Sequence, residues 1–283
     1  MNIKYGAGIT LYNPSPDEIS NALSYSDIFS IVYIFDNTEY NSHDKIRLFE
    51  QNKKIKYISK GKNLGLPEAF NQILEMCKMD NIDYLCTLDQ DSHFTKDNYR
   101  EIVNYIESHN MNNTAIVAPR PVDYVYENCL GEKTVENSKW AICSGSFLNL
   151  GLLSKNKISY DNYYFVDRFD VDLCKQIKNK GLSIIKLNYV QMLHACGDYK
   201  HNHNALRNYY LFRNRRYYNN KYYSKPIAIF LTLLQDIRQL IAISREDKKS
   251  RRAKLISYKL AKQSYKNGDY GKAKNEIINQ LSK

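Results

Sequence analysis

The sequence predicts an α/β fold in which a mostly parallel sheet is flanked by helices, followed by a basic α-helical C-terminal region. Two observations lead to this prediction. Short apolar runs alternate with segments of helical periodicity through about the first 120 residues, as they do in a doubly wound sheet. From about residue 205 onward the pattern is helical, and residues 207–283 carry 19 Lys and Arg against 5 Asp and Glu.

Continuous apolar runs mark the predicted strands. They are residues 3–11, 31–35, 55–58, 84–88, 115–118, 141–148 and 183–187. Runs of this kind, without polar alternation, are typical of parallel strands that are covered on both faces. Ligands bind beyond the carboxyl ends of such strands. The acidic residues Asp36, Asp89 and Asp91 follow the second and fourth runs, so they are candidate site residues.

Helix signals separate these runs. Ser15-Pro16-Asp17-Glu18 has the spacing of a capping box, with proline at the first helical position, and Pro67 opens a second helix. Residues 95–109 and 170–180 also show helical periodicity. We therefore expect a helix in each of these four places.

Several common classes of site are excluded by the motifs that the sequence lacks. Gly6-Ala7-Gly8 has no third glycine for a dinucleotide fingerprint, because Leu11 stands at that position. The P-loop, zincin and serine-hydrolase motifs do not occur. The six cysteines form no CxxC pair, so we expect buried thiols. No apolar run of signal-peptide length follows Met1, so we expect a cytoplasmic protein.

Asp89-Gln90-Asp91 is the sharpest motif in the sequence. Two carboxylates at the end of a strand can both reach a hard divalent cation, which in turn binds phosphate oxygens. A nucleoside diphosphate suits such a pair. The alternative is a solvated acidic turn, and only the surrounding motifs distinguish the two.

Three segments ahead of this pair supply that context. Tyr12-Asn13-Pro14, Asp36-Asn37 and Asn63-Leu64-Gly65 precede the pair in an order that resembles the family 2 glycosyltransferases, which are inverting enzymes of the GT-A fold. In that family the tip of the first strand and the Asp after the second strand hold the base and ribose of a nucleotide sugar.

The resemblance assigns roles residue by residue. It implies that Thr10 and Asp36 contact the nucleoside, with Asn63 beside them. It also implies that Asp89 faces the ribose and diphosphate, and that Asp91 binds a metal, Mn²⁺ or Mg²⁺.

The second half of the sequence resembles the same family. Residues 165–172 look like its acceptor-side acidic segment, in which the Asp at the position of Asp170 is the catalytic base. His194 is similar to the family's His that completes the metal shell. The alternatives are acidic residues favoured at a helix N-terminus and a histidine satisfied within the core.

Further motifs look like the rhamnosyltransferase-like bacterial branch, which uses dTDP-rhamnose for surface polysaccharide. They are residues 88–92, Ser144-Gly145-Ser146, and Tyr209-Tyr210 with Arg213-Asn214. We expect Arg213, or Lys60 and Lys62, to add positive charge near the diphosphate. Asp172 and Arg168 depart from the branch, and the QxxRW motif of processive synthases is missing. A UDP-sugar transferase for galactofuranose, galactose or glucose remains the alternative.

The resemblance also implies a division of the chain. We expect a GT-A catalytic domain over residues 1–206, with a nucleotide-binding half at about 1–120 and an acceptor half at about 121–206. Residues 207–283 would form the basic helical region. The expected partners of the catalytic domain are a nucleotide-sugar donor and a saccharide or a lipid-diphosphate-linked acceptor.

The basic C-terminal region indicates an anionic partner. Residues 227–243 are apolar but are interrupted by Gln235, Asp236, Arg238 and Gln239 before the ~20 residues that span a bilayer. With tyrosines flanking the segment, we predict peripheral attachment to the inner membrane leaflet through an amphipathic helix. A helical bundle that packs on the protein or on a second subunit is the alternative. A nucleic-acid-binding protein is the alternative of another class.

Overall fold

The structure is a computed structural model, and it describes residues 2–39, 43–122, 133–194 and 204–281. The chain divides into two units. We call residues 1–160 together with 170–197 the sheet unit, and residues 161–169 together with 198–283 the helical unit.

The first half of the sheet unit alternates strands and helices. Its elements are β1 (Tyr5–Leu11), α1 (Pro16–Ser24), a 3₁₀ turn (Tyr25–Asp27), β2 (Ile31–Asp36), α2 (His43–Glu50), β3 (Ile55–Ser59), α3 (Leu66–Met79) and β4 (Tyr84–Asp89). The predicted capping box is confirmed at α1, where Ser15 and Glu18 exchange side-chain and backbone hydrogen bonds. The helix α2 has no counterpart in the sequence-based prediction.

The second half of the sheet unit contains strands of very different length, from two residues to twelve. Its elements are β5 (Ser92–His93), α4 (Lys96–Ser108), β6 (Thr114–Val122), β7 (Val135–Asn137), β8 (Ser146–Asn149), α5 (Leu150–Lys155), α6 (Phe169–Asn179) and β9 (Ser183–His194). The helices predicted at residues 95–109 and 170–180 are therefore confirmed within one residue at each end. The apolar run at residues 141–148 becomes a strand only from Ser146 onward.

The sheet has the order β3-β2-β1-β4-β8-β6-β9-β5, and β7 pairs with β9. The strands β3, β2, β1 and β4 are mutually parallel, as are β6 and β9. Strand β8 runs antiparallel between β4 and β6, and β5 and β7 run antiparallel to β9. The α/β fold with a sheet flanked by helices is thus confirmed, and the sheet is parallel from β3 to β4 and mixed beyond β4.

The position of β1 sets the geometry of the carboxyl edge. All seven residues of β1 are buried, and the strand pairs with β2 on one side and β4 on the other. In this register Thr10 lies opposite both Phe35 and Asp89, and Leu11 lies opposite Asp36. The ends of three strands therefore meet at one place.

The cysteines in the described part of the chain are buried thiols, as the sequence predicts. Cys77, Cys86, Cys143 and Cys174 are free and buried. Burial raises the pKa of the Cys77 and Cys174 thiols to about 12, which keeps them protonated at neutral pH. Cys129 and Cys196 lie outside the described residues.

The helical unit consists of α7 (Ala205–Tyr222), α8 (Lys225–Ser244), α9 (Lys248–Asn267) and α10 (Asn275–Leu281). Its core contains Tyr209, Tyr210 and Phe212 of α7. A buried ion pair joins Arg216 of α7 to Asp236 of α8. The helical C-terminal region predicted from sequence is confirmed.

We predict that Gly145→Ala destabilises the sheet unit strongly. Gly145 has φ +77, and an added Cβ would lie 2.4 Å from Met192 Sδ and 2.8 Å from Pro119 Cγ. Gly181 is the matched control, because it has φ +72 but no atom within 4 Å of an added Cβ. Both variants incur the left-handed penalty, and overpacking adds about 1–3 kcal/mol at Gly145 alone. Urea unfolding followed by circular dichroism measures the difference; equal losses in the two variants would contradict the packing described.

Candidate active site

A cleft opens at the carboxyl ends of β1, β2 and β4, within the sheet unit. Its volume is about 190 Å³. The residues that line it are Thr10, Leu11, Tyr12, Asn37, Leu66, Asp89 and Gln90. Thr10 and Asp89 were expected at a nucleotide site from the sequence. Asn37, Leu66 and Gln90 were not, although Asn37 and Gln90 stand inside the motifs that were recognised.

The tip of β1 is tied to the tip of β4. The Tyr12 backbone N–H donates to Gln90 Oε1 at 2.7 Å, and Gln90 Nε2 donates to Glu18 Oε1 at 2.8 Å. The Asn13 N–H donates to Thr38 Oγ1 at 2.8 Å, which joins the same loop to the end of β2. Gln90, the middle residue of the acidic motif, therefore holds the loop in place.

Asp36 lies beneath the cleft and is fully buried. Its carboxylate accepts hydrogen bonds from the Thr38 N–H at 2.9 Å and from the Tyr57 hydroxyl at 2.8 Å. Burial and then the Asp36 carboxylate raise the pKa of Tyr57, so this phenol stays a donor. Asp36 thus supports the end of β2, while Asn37 lines the cleft itself.

Asn37 and Asn63 shape the turn that precedes α3. The Leu64 N–H donates to Asn37 Oδ1 at 3.0 Å, and Asn37 Nδ2 donates to the Gly65 carbonyl at 3.3 Å. The Gly65 N–H donates to Asn63 Oδ1 at 2.9 Å. This turn brings Leu66, the first residue of α3, to the wall of the cleft.

Asp89 and Asp91 are half-buried at the end of β4, and a serine turn supports them. The Asp89 N–H donates to Ser144 Oγ at 3.1 Å, and the Ser144 hydroxyl also hydrogen-bonds that of Ser92. Thr87 Oγ1 donates to the Cys143 carbonyl at 2.5 Å. The Ser144-Gly145-Ser146 motif therefore fixes the acidic pair from below.

The acidic pair fits a hard cation by the chemistry of its donors, because carboxylate oxygens are the ligands that Mg²⁺ and Mn²⁺ prefer. Ser92 of β5 pairs with His194 of β9, which places the His194 backbone one residue away from Asp91 in the ladder. The His194 side chain is not among those the structure describes. Among the side chains that are described, no group of three His, Cys, Asp or Glu residues gathers as a metal site.

Asp170 lies in the first turn of α6 and is half-buried. Its Oδ1 accepts a hydrogen bond from the Val171 N–H at 2.8 Å. Burial raises the pKa of the Cys143 thiol, and the negative charges of Asp89 and Asp170 raise it further. Both carboxylates therefore act on the same buried thiol.

Arg213 lies in the helical unit and is fully buried. Its guanidinium donates to the backbone carbonyls of Tyr163, Tyr164 and Asp269 at 3.3–3.4 Å. These contacts give Arg213 a structural role. We therefore leave it out of the proposed nucleotide-binding residues, contrary to the expectation from sequence.

Comparisons with known proteins agree with this architecture. A sequence family described as Glycosyl transferase family 2 matches residues 17–151. The dTDP-rhamnosyl transferase RfbF of Shigella flexneri is 23% identical over 240 residues, which are 76% of this chain and 79% of that protein.

Two solved structures have a similar fold. S. aureus TarS superposes with a TM-score of 0.57 and 13% identity, over 98% of this chain and 47% of that one. GalNAc-T7 with UDP, GalNAc and Mn²⁺ superposes with a TM-score of 0.56 and 12% identity, over 68% of this chain and 44% of that one. The chain spans less than half the length of each of these two proteins.

The family match covers Asp36, Asn63, Asp89 and Asp91. Asp36 and Asp89 are the last residues of β2 and β4, at whose ends the cleft lies. Residues 17–151, a little under half of the chain, therefore match the family 2 glycosyltransferases, and the chain has a GT-A-like fold.

Proposed function

We propose that the chain is an inverting, metal-dependent hexosyltransferase that takes rhamnose from dTDP-rhamnose. The acceptor is a hydroxyl of a lipid-linked or saccharide molecule in bacterial surface polysaccharide synthesis. The observation that carries this proposal is the cleft at the ends of β1, β2 and β4, with Asp89 in its wall. The choice of dTDP-rhamnose is supported by the similarity to RfbF, which is a dTDP-rhamnosyl transferase.

The nucleoside part of the donor would occupy the cleft. Thr10 and Asn37 offer a hydroxyl and an amide, and Leu66 offers an apolar surface for the base. Asp36 and Asn63 would support the cleft indirectly. Asp36 would hold the end of β2, and Asn63 would hold the turn before α3. Asp89, at the rim, would face the ribose and diphosphate.

The transfer is a single in-line displacement. The acceptor oxygen forms a bond to the anomeric carbon while the bond between that carbon and the diphosphate oxygen breaks. The Asp170 carboxylate takes the acceptor proton, a general-base contribution of about 10²- to 10⁴-fold. No covalent enzyme intermediate is needed, because inversion requires one displacement only.

Asp91 and His194 would hold a Mn²⁺ or Mg²⁺, which when bound stabilises negative charge on the leaving diphosphate. The serine turn contributes by keeping the acidic pair at the cleft rim through Ser144. The structure of GalNAc-T7 contains Mn²⁺ together with UDP. That observation belongs to GalNAc-T7 and supports the proposal here only by similarity of fold.

The nucleic-acid alternative depended on tyrosines and arginines interleaved along residues 209–218. In the structure, Arg213, Arg215 and Arg216 are buried in the helical unit. Burial lowers the pKa of Arg215 to about 10, and Arg216 pairs with Asp236. These side chains are therefore engaged within the protein and do not form a surface for bases, which favours the transferase.

Helix α8 supports peripheral attachment to a membrane. It is long and apolar enough to cross a bilayer by length and composition. Three polar residues in its middle, however, face α7: Asp236 pairs with Arg216, Gln235 accepts from Asn219, and Gln239 donates to Asn208. A helix bound along one face to a polar partner is suited to lie on a membrane surface, and not to cross it.

The opposite face of α8 is an exposed apolar stripe. It consists of Ile227, Phe230, Leu233, Leu234, Ile237 and Ile241. Phe230, at 64% exposed, is the most prominent of them. We propose the anionic inner leaflet as its partner, because residues 207–283 carry 19 basic against 5 acidic side chains. Of the flanking tyrosines expected at the interface, Tyr217 and Tyr218 are instead packed inside the unit, and only Tyr223 is exposed.

We predict that Asp170→Asn and Asp91→Asn each lower kcat by about 10²-fold or more, since one removes the base and the other a metal ligand. Release of dTDP from dTDP-rhamnose, with Mn²⁺ and membrane lipids as acceptor, measures this. Asp97→Asn is the matched control, because it removes an exposed carboxylate from another helix N-terminus. Full activity in Asp170→Asn would contradict its role as base.

We predict that the free protein binds dTDP about 10-fold or more tightly than dUDP, which lacks only the thymine methyl group, because that group adds an apolar contact in the cleft. Leu66→Ala should narrow the preference for dTDP, whereas Leu64→Ala, which alters the same turn outside the cleft wall, should leave it unchanged. Titration calorimetry with dTDP, dUDP and UDP measures these affinities. A preference for UDP would replace dTDP-rhamnose by a UDP-sugar donor.

We predict that the protein sediments with vesicles of phosphatidylglycerol, but not of phosphatidylcholine, and that the double variant Phe230→Ser with Ile237→Ser does not. Leu48→Ser with Met79→Ser is the control, because both residues are exposed apolar side chains of the sheet unit. High salt should weaken the binding by the unaltered protein. Unchanged sedimentation of the α8 variant would exclude the stripe as the membrane contact. If the unaltered protein binds no vesicles but forms dimers that the α8 variant loses, the stripe contacts a second subunit instead.

A further inference from the structure

The residues immediately before Asp170 adopt an unfavourable backbone conformation. Phe165, Asp167 and Arg168 have φ values of 64, 56 and 67. Left-handed geometry is costly for residues other than glycine, so a chain rarely places three of them within four positions. This strained segment, residues 163–168, needs other groups to hold its shape.

Asn214 of α7 supplies most of that support. Its Nδ2 donates to the carbonyls of Tyr164 at 2.9 Å, Val166 at 2.6 Å and Asp167 at 3.2 Å. One side-chain amide thus contacts three of the six carbonyls of the strained segment. Asn214 and the strained segment both lie in the helical unit.

Arg213 orients that amide. Its Nε and Nη2 donate to Asn214 Oδ1 at 3.1 and 3.0 Å, and Nη2 also donates to the carbonyls of Tyr163 and Tyr164. Because a guanidinium has donors only, the amide oxygen of Asn214 must face it. The amide nitrogen is then directed at the carbonyls of the strained segment.

Two tyrosines hold Arg213 in turn. Its guanidinium lies 5.4 Å from the ring centroid of Tyr209 and 5.0 Å from that of Tyr210. The Tyr210 ring stacks on Phe165 at 5.3 Å, and its hydroxyl accepts from the Ala273 N–H at 2.9 Å. We call Tyr209, Tyr210, Arg213 and Asn214 together the α7 clamp.

Contacts beside the clamp fix both sides of the strained segment. Ahead of it, Tyr217 and Lys221 donate to Asp161 Oδ2 at 2.8 and 2.7 Å. Near the end of the segment, Arg207 forms an ion pair with Asp167, with 3.2 Å between Nη2 and Oδ1. Asp170 follows the segment by two residues, so the conformation of residues 163–168 sets where α6 begins.

We propose that Arg213 and Asn214 are positioning residues for Asp170. By holding residues 163–168 in their strained conformation, they fix the first turn of α6 and hence the carboxylate that takes the acceptor proton. This inference rests on the proposed function of Asp170 as the base. It also gives a physical role to the Tyr-Tyr and Arg-Asn pairs that the sequence places four residues apart on one helix.

The test compares two buried asparagines of α7. Asn214→Ala removes the donor to the strained segment, and Asn214→Asp replaces it with an acceptor that faces three carbonyls. Asn219→Ala is the matched control, because Asn219 is equally buried but donates to Thr232 and Gln235 of α8. If the Asn214 variants fail to fold, Arg213→Lys, which keeps the charge but loses the fork, takes their place.

We expect the Asn214 variants to lower kcat by about 10- to 100-fold with the donor KM changed by about twofold or less, since a small misplacement of a catalytic group acts on turnover. Hydrogen exchange of the amides of residues 163–170 should rise in them. Asn219→Ala should leave both kcat and this exchange unchanged. Equal losses of kcat and equal exchange in the Asn214 and Asn219 variants would overturn the proposal, because both would then act through stability alone.

The exchange measurement separates this inference from the proposed function. If the unaltered protein transfers no sugar, the proposed function fails, and the exchange of residues 163–170 still decides whether the clamp holds the segment. Suppose that transfer is observed but that the amide exchange and kcat of the Asn214 variants match those of the unaltered protein. The proposed role of the α7 clamp is then wrong, whereas the proposed transferase function is supported.

Discussion

The parallel pairing of β1 with both β2 and β4 is the constraint on which the site depends. It places Thr10 opposite Asp89 and Leu11 opposite Asp36, so that polar residues far apart in sequence meet at one edge. A shift of one residue in this register would move Asp89 away from Thr10 and Asp36 away from Leu11. The cleft, the acidic pair and the turn before α3 all take their positions from this pairing.

A second set of contacts joins the strand ends at that edge to the loops beside them. Gln90, Asn37 and Ser144 each use their side chains to fasten one strand end to a neighbouring loop. None of them bears a charge, yet Gln90 and Ser144 hold the end of β4, which carries Asp89. Gly145 is part of the same arrangement, because no side chain fits beside Met192 and Pro119 at that turn.

The sequence was sufficient for the α/β fold, the first four strands and the order of the acidic residues, because long apolar runs and capping signals are local. It did not predict α2, or the antiparallel insertion of β8, since that pairing depends on contacts between distant residues. Arg213 shows the same limit at the level of a single residue. Its positive charge suggested that it lies near the diphosphate of the donor, whereas packing against Tyr209 and Tyr210 places it among backbone carbonyls.

The measurement that tests the account most directly is a crystal structure of the protein with dTDP and Mn²⁺. The account predicts the thymine base against Thr10, Asn37 and Leu66, with the diphosphate beside Asp89 and Asp91. A nucleotide bound elsewhere on the protein, with the cleft at the ends of β1, β2 and β4 empty, would contradict it.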